Sequence, residues 1–212
     1  MRSVDFIRAN TRLLAPPLVP EVWLHLAEAS LALWQKTEEE LAQANVPPPY
    51  WAFAWAGGQA LARYVLDTHV VADRKVLDIG TGSGLAAIAA MKAGAASALA
   101  CDIDALALAA TALNAEANGV AVATTAADLL AAPPQACDVL LVGDLFYERE
   151  LAERVLNYVA TAHRRGCQVL VGDPRRSYFP RDRFRPIAEY AVKVTRELED
   201  ADISHAAVWR PA

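Results

Sequence analysis

The string VLDIGTGSG, Val76 to Gly84, constrains this chain more than any other feature of its sequence. An apolar run that reads as a buried strand carries Asp78 near its end and leads into glycines at 80, 82 and 84, where helical spacing begins. Glycines in such a place let the chain turn sharply and let a ligand lie against bare backbone, with the N–H groups of a helix N-terminus pointing at it. The spacing is G-x-G-x-G rather than the G-x-G-x-x-G of a dinucleotide fingerprint, which favours a nucleoside-type ligand over NAD. Taken alone, the loop is also compatible with a tight strand–helix turn that binds nothing.

The alternation of strand and helix continues downstream. Strand-type runs are expected at Lys75 to Ile79, Ala98 to Asp102, Val120 to Thr125, Val139 to Gly143 and Gln168 to Gly172, the stronger ones apolar throughout, as in a parallel sheet buried on both faces. Between them Leu85 to Ala93, Ala105 to Asn118 and Glu148 to His163 have helical spacing; in the last, Leu151, Val155, Tyr158 and Ala162 recur at four, three and four residues. The pattern predicts an α/β domain with crossover helices. After Pro186, Glu189 to Thr195 and His205 to Trp209 read as an antiparallel hairpin that turns at Glu197 to Asp202 and closes the sheet. The N-terminal stretch differs. Val22, Leu26, Ala29 and Leu33 make one apolar helical face among Pro16, Pro17, Pro20 and Pro47 to Pro49, which predicts an N-terminal helical cap over 1–45 on a domain spanning 46–212.

Composition narrows the function classes. At 212 residues, 55% hydrophobic and 21% charged, the chain is long enough for a large core and unlike a disordered one. Its 20 Lys and Arg against 25 Asp and Glu leave a net charge of −5 with no basic block, so nucleic acid is not an expected partner. No apolar run is long enough to span a membrane, and the first residues lack the apolar stretch and cleavage site of a secretory signal. Cys101, Cys137 and Cys167 are well separated, without a C-x-x-C pair, and read as core thiols of a reducing compartment. The expected location is therefore the cytoplasm, or the mitochondrial matrix in a eukaryote. The histidines have no metal-ligand spacing, and no metal is expected.

Two further carboxylates follow the glycine loop. Asp102 ends the second strand, where a carboxylate can accept hydrogen bonds from both hydroxyls of a ribose, and Asp104 suits a helix N-cap. Asp128, in AADLL after the third strand, sits at the same sheet edge, where open α/β sheets bind their ligands. It suits an exocyclic adenine amine, with Leu129 against the ring; the alternative is a loop or capping residue.

These residues, with ACDID, NAEANG, AADLL and DVLLVGDLFY, resemble the class I, seven-β-strand S-adenosylmethionine-dependent methyltransferases. PPPYWAFAWAGGQALARYVLD (Pro47 to Asp67), GDLFYE (Gly143 to Glu148) and VGDP (Val171 to Pro174) make the chain similar to the lysine methyltransferase branch, in particular to enzymes that modify the β subunit of electron-transfer flavoprotein. The resemblance runs over about residues 45–210. It implies a Rossmann-like seven-stranded sheet of order 3-2-1-4-5-7-6, with the last strand antiparallel, and S-adenosyl-L-methionine as cofactor. In that frame Gly80, Gly82 and Gly84 line the methionine part, with Asp78 and Gly143 also at the cofactor; Asp102 holds the ribose and Asp128 faces the adenine. Trp55 matches a tryptophan that borders the cofactor, and Trp51 either lines the mouth or packs.

The resemblance also marks D-x-x-[F/Y] after the fourth strand as the acceptor site, and Asp144 and Tyr147 fit it. In methyl transfer a neutral amine attacks the methyl carbon in line, and the enzyme chiefly supplies alignment at about 3–3.5 Å. A carboxylate holds an incoming lysine by charge-assisted hydrogen bonds, while aromatic faces surround its stem and head. The same carboxylate favours the ammonium, which cannot attack, whereas desolvation and a nearby sulfonium favour the amine. Asp144 therefore reads as an orienter rather than a strong base; helix capping by Asp144 and simple packing by Tyr147 are the alternatives. No N-P-P-Y type motif follows the fourth strand, so base and glutamine-amide acceptors lose ground. In GDPRR, Gly172 to Arg176, the family pattern more often has glycine where Arg175 stands, and Asp173 and Arg176 are candidates for contact with the acceptor protein or are solvated loop residues.

The leading expectation is a protein-lysine N-methyltransferase whose partner is the electron-transfer-flavoprotein β subunit. A small amine, a pyridine-type base or another protein, such as a ribosomal one, is the second reading. A cofactor-binding module without turnover is the third.

Overall fold

The structure, a computed structural model, describes residues 3–28, 48–194 and 203–212. Chain order begins with helix α1 (Ser3–Asn10) and a small antiparallel hairpin of β1 (Arg12–Leu14) and β2 (Leu24–Leu26). After helix α2 (Ala56–Thr68) come β3 (Lys75–Ile79), α3 (Leu85–Lys92), β4 (Ser97–Cys101), α4 (Ala105–Ala117) and β5 (Ala123–Thr125). Then follow β6 (Val139–Gly143), α5 (Arg149–Arg164), β7 (Gln168–Asp173), β8 (Phe184–Lys193) and β9 (Ile203–Pro211). Seven strands form one sheet in the order β5-β4-β3-β6-β7-β9-β8, and β9 runs antiparallel to both of its neighbours. Numbered from β3, that is the 3-2-1-4-5-7-6 order with the last strand reversed.

The central strands are apolar on both faces because helices cover both. Val76, Val139, Leu141 and Leu170 pack against α2 and α3, whereas Leu77, Leu140, Val142 and Val169 pack against α5. Adjacent Leu140 and Leu141 are fully buried on opposite faces of β6; truncating either to alanine costs about 2–5 kcal/mol. Helix α3, LAAIAAMK, is buried from Leu85 to Ala90, and its alanines keep it thin enough to lie close to β3. Pro186 falls within the edge strand β8, beside a register shift between Pro186 and Ala188. An edge with a bulge tolerates the missing N–H donor.

Two expectations change. Val22 to Leu26 do not form a helix: Leu24–Leu26 is strand β2, paired Arg12↔Leu26 through Leu14↔Leu24. Val22, Leu24 and Leu26 are all buried, a period of two, and the four-residue spacing of Val22 and Leu26 belongs to both periodicities. Ala29, Leu33 and the turn at 197–202 lie outside the described residues. The second change concerns the cysteines. Cys137 and Cys167 stand just before the neighbouring parallel strands β6 and β7, which brings their sulfurs to 3.0 Å.

What positions the ligand edge is a set of side-chain ties. Asn114 of α4 is fully buried; its Oδ1 accepts from the His25 backbone N–H at 2.7 Å and its Nδ2 donates to the Ser83 carbonyl at 2.8 Å. Asn118 exchanges hydrogen bonds with the Trp23 backbone at 3.0 and 2.6 Å. Of these asparagines, both from NAEANG, Asn114 fastens the N-terminal hairpin to the glycine loop and Asn118 fastens it to the end of α4. The register Gly143↔Gly172 sets the loops after β6 and β7 side by side at the same edge.

Candidate active site

A cavity of about 350 Å³ opens at the carboxyl edge of β3–β6, and Asp78, Asp102, Asp128 and Asp144 all line it. Its volume is within the range of small-ligand sites. On the β3–β4 side, Gly80, Gly82 and Gly84 have φ of 64°, 53° and 84°, the left-handed region. Gly84 shows why no side chain fits: it caps α3, and a Cβ there would lie 2.9 Å from Thr111 Cγ2. Asp78 is buried and accepts from the Thr81 hydroxyl at 2.6 Å, and burial pushes its carboxyl up to about 7. Asp102 accepts from the Gly82 N–H at 2.9 Å through Oδ2 and from the Asp104 N–H at 3.0 Å through Oδ1; burial raises its pKa too. Asp104 caps α4 through the Leu106 N–H at 2.8 Å.

At Asp128, after β5, and at Asp144, after β6, the carboxylates meet arginines. Arg154 of α5 donates to both oxygens of Asp128, at 2.7 and 2.5 Å, beside buried Leu129. Asp144 follows β6 with φ of 57° and is 7% exposed. Its Oδ2 accepts from the Gly58 N–H, in the first turn of α2, at 2.7 Å, and its Oδ1 accepts from Arg176 Nε and Nη2 at 3.0 and 2.6 Å. The Arg176 guanidinium lies over the Trp55 ring, 5.3 Å from the centroid. Tyr50, Trp55 and Tyr147 stand at the rim, with the Tyr50 and Tyr147 rings 5.4 Å apart and tilted by 48° and the Tyr50 and Trp55 rings 6.0 Å apart. Burial pushes the Tyr147 hydroxyl up to about 12, so it stays protonated. Among the described residues, no group of three His, Cys, Asp or Glu side chains is placed to hold a metal ion.

Similarity to known proteins gives this geometry its context. The chain is 37% identical to the electron transfer flavoprotein β subunit lysine methyltransferase of Danio rerio over 97% of its own length and 82% of the relative's. The Homo sapiens protein of the same name is 32% identical over 96% of this chain and 80% of its own. The chain belongs to the electron transfer flavoprotein β subunit lysine methyltransferase family. It is a methyltransferase of the Rossmann-like fold. Residues 59–155 also match the ribosomal protein L11 methyltransferase (PrmA) family, a span that holds the glycine loop and Asp78, Asp102, Asp128 and Asp144 but not Arg176. Among solved structures, magnesium protoporphyrin IX methyltransferase from Synechocystis, with bound S-adenosylmethionine, is 16% identical with a TM-score of 0.54 over 73% of this chain and 78% of its own. The tRNA (uracil-54, C5)-methyltransferase of Pyrococcus abyssi is 20% identical with a TM-score of 0.53 over 72% of this chain and 37% of its own. Both likenesses concern the fold.

Within this family frame the predicted cofactor residues and Asp144 and Tyr147 all lie at the cavity except Gly84, which shapes the loop from behind it as the cap of α3. Trp51 is both wall and core, being 1% exposed. Asp173 is not available to an acceptor protein: it is fully buried, its Oδ1 accepts from the Arg176 N–H at 2.7 Å, and its Oδ2 has no partner among the described residues. Burial, then the Asp144 charge, push its carboxyl up to about 7. Arg176 turns inward to Asp144 rather than out to solvent. Arg175 has φ of 70°, which accounts for the glycine usual at this place; it pairs with Glu189 at 3.0 Å and lies over Trp209.

Tyr50, Gly57, Gly58 and Arg154 were not singled out from sequence. The pair Gly57-Gly58 carried a signal: a Cβ on Gly57 would come within 2.6 Å of Asp144 Oδ2 and closer still to the Gly172 carbonyl, so only a glycine lets α2 present its N–H groups to Asp144.

Proposed function

We propose that this chain is an S-adenosylmethionine-dependent protein-lysine N-methyltransferase that acts on the β subunit of electron-transfer flavoprotein. The observation that carries the reading is the division of one cavity between a glycine-loop side and the Asp144 side with its aromatic rim. The cofactor fits the first side. At Gly82 a Cβ would meet nothing nearer than 3.8 Å, so the loop offers open space, and Asp102 is fixed by two backbone N–H donors with its carboxylate on the cavity wall. Asp78 and Asp102 would hold the cofactor's amine and ribose, and Leu129 and Asp128 its adenine. When bound, S-adenosylmethionine supplies an electrophilic methyl carbon on a positively charged sulfur.

The chain's own residues then perform alignment. Tyr50, Trp55 and Tyr147 wall the approach of an unbranched side chain, and Asp144, clamped by Gly58 and Arg176, orients its amine. The aromatic rim excludes water from the reacting amine, whose proton leaves to solvent before alignment. Protein-lysine chemistry and the flavoprotein partner are supported by the names of relatives at 32–37% identity. A reducing compartment, cytoplasm or mitochondrial matrix, suits the three unbridged cysteines.

The test is incubation with methyl-labelled cofactor, purified electron-transfer flavoprotein and, separately, a whole-cell extract. Label on a lysine of the β subunit is expected. Label confined to small molecules or to a ribosomal protein would overturn the reading.

A further inference from the structure

Asp144 poses a problem for an amine-methylating site, because a bare carboxylate beside the acceptor would hold it as an ammonium, which has no lone pair to attack. The structure contains an answer in the residue that binds Asp144. Arg176 reaches it from the loop after β7, 32 residues away in sequence, through two N–H donors on one oxygen. Its backbone N–H is fixed by Asp173 Oδ1, and its guanidinium is spread over Trp55. A guanidinium keeps its proton at every working pH and is a poor nucleophile, so it balances a charge beside an amine without competing with it.

We infer that Arg176 is a positioning residue that acts through Asp144, cancelling the carboxylate's charge so that an acceptor amine is aligned there without being locked in its protonated form. The inference rests on the reading of Asp144 as the acceptor-side carboxylate. The other ionisable groups about the pair come from several elements. Asp173 lies behind it at the end of β7, Tyr147 and Glu148 follow β6, Tyr50 precedes α2, and Asp102 closes the far side from β4. Among these Asp173, pushed up to about 7, also titrates near neutrality. Any pH test must therefore separate it from the amine.

The experiment is the pH dependence of the single-turnover methylation rate at saturating cofactor and electron-transfer flavoprotein β subunit, which reads groups in the bound complex. In Arg176→Gln the rising limb should move up by about one pH unit, a roughly tenfold loss at neutral pH that recovers in alkali. Arg176→Lys should keep the wild-type limb with a lower plateau. Arg176→Met, which retains an apolar stem against Trp55, should repeat the displacement if the glutamine variant is unstable. The displacement should persist in an Asp173→Asn background. A uniform loss at every pH with the limb unmoved overturns the inference, as does a displacement that vanishes with Asp173→Asn. Full turnover in Asp144→Asn would overturn the acceptor reading itself. An inactive Asp144→Asn beside an unmoved limb in the Arg176 variants overturns only the role of Arg176.

Discussion

The cavity holds its carboxylates by two different means. Around the glycine loop, Asp78 and Asp102 take a hydroxyl and backbone N–H groups, all uncharged donors. Asp128, after β5, and Asp144, after β6, are instead each bound by an arginine from a distant element. Among the described residues, Asp78 and Asp102 have no cation of the protein's own beside them, as suits a ligand that brings a positive charge, and burial raises both carboxyls. At Asp128 and Asp144 the protein has already balanced the charge, as suits the neutral adenine proposed for the one and the neutral amine proposed for the other.

That contrast can be broken most directly at Asp144. Asparagine tolerates the left-handed backbone that φ of 57° imposes, so Asp144→Asn keeps the loop while removing the charge and one of the two acceptor oxygens that Gly58 and Arg176 use. Methyl transfer should fall by about 100-fold or more, with cofactor affinity by calorimetry within about twofold of wild type; a large loss of cofactor affinity would move Asp144 to the other side. At Asp102 the pattern should invert. Asp102→Ala should weaken cofactor binding about tenfold to 100-fold, the worth of hydrogen bonds to a charged group, and an unchanged Kd would remove Asp102 from the cofactor.

A smaller effect concerns stability. Asp173 has a folded pKa of about 7 against an ordinary 3.8, so over that interval the folded protein holds a proton that the unfolded chain has released. Its stabilising contribution is complete below about pH 4 and gone above about pH 7. Asp78 acts in the same sense. Tm measured from pH 4 to 8 should therefore decline less steeply in Asp173→Asn than in wild type; equal slopes would show that Asp173 does not titrate there. The smallest change is expected at Arg175→Gly. It relieves a left-handed backbone, worth about 1 kcal/mol, and loses an exposed ion pair and a ring contact of similar size. Denaturant unfolding should find the two proteins within about 1 kcal/mol, and a larger loss would make the Trp209 contact a structural anchor.

Legibility in the sequence followed the range of the interaction. The parallel sheet was readable because its strands are apolar on both faces, and Asp78, Asp102, Asp128 and Asp144 were readable because each lies at or just beyond the carboxyl end of a strand at the same edge. The donors to Asp102 lie two and twenty residues away, one in the turn beside it and one inside the glycine motif. Arg176 was visible as a residue but not as the partner of Asp144, because that contact exists only once β7 is registered beside β6. The approach of Cys137 to Cys167 follows from the same pairing and was hidden for the same reason. Val22 to Leu26 misled because a spacing of four residues fits a helix and a strand alike, and only the pairing partner β1 decides. Arg175 shows a different limit, since its φ is set by the turn and not by the residue itself.

Asn114 gives the first 28 residues a meaning beyond their size. One buried amide grips the N-terminal hairpin with its oxygen and the floor of the glycine loop with its nitrogen. The hairpin is thus a splint on the ligand chamber, and trimming it would be felt first as a loosened grip on small molecules, before any loss of solubility.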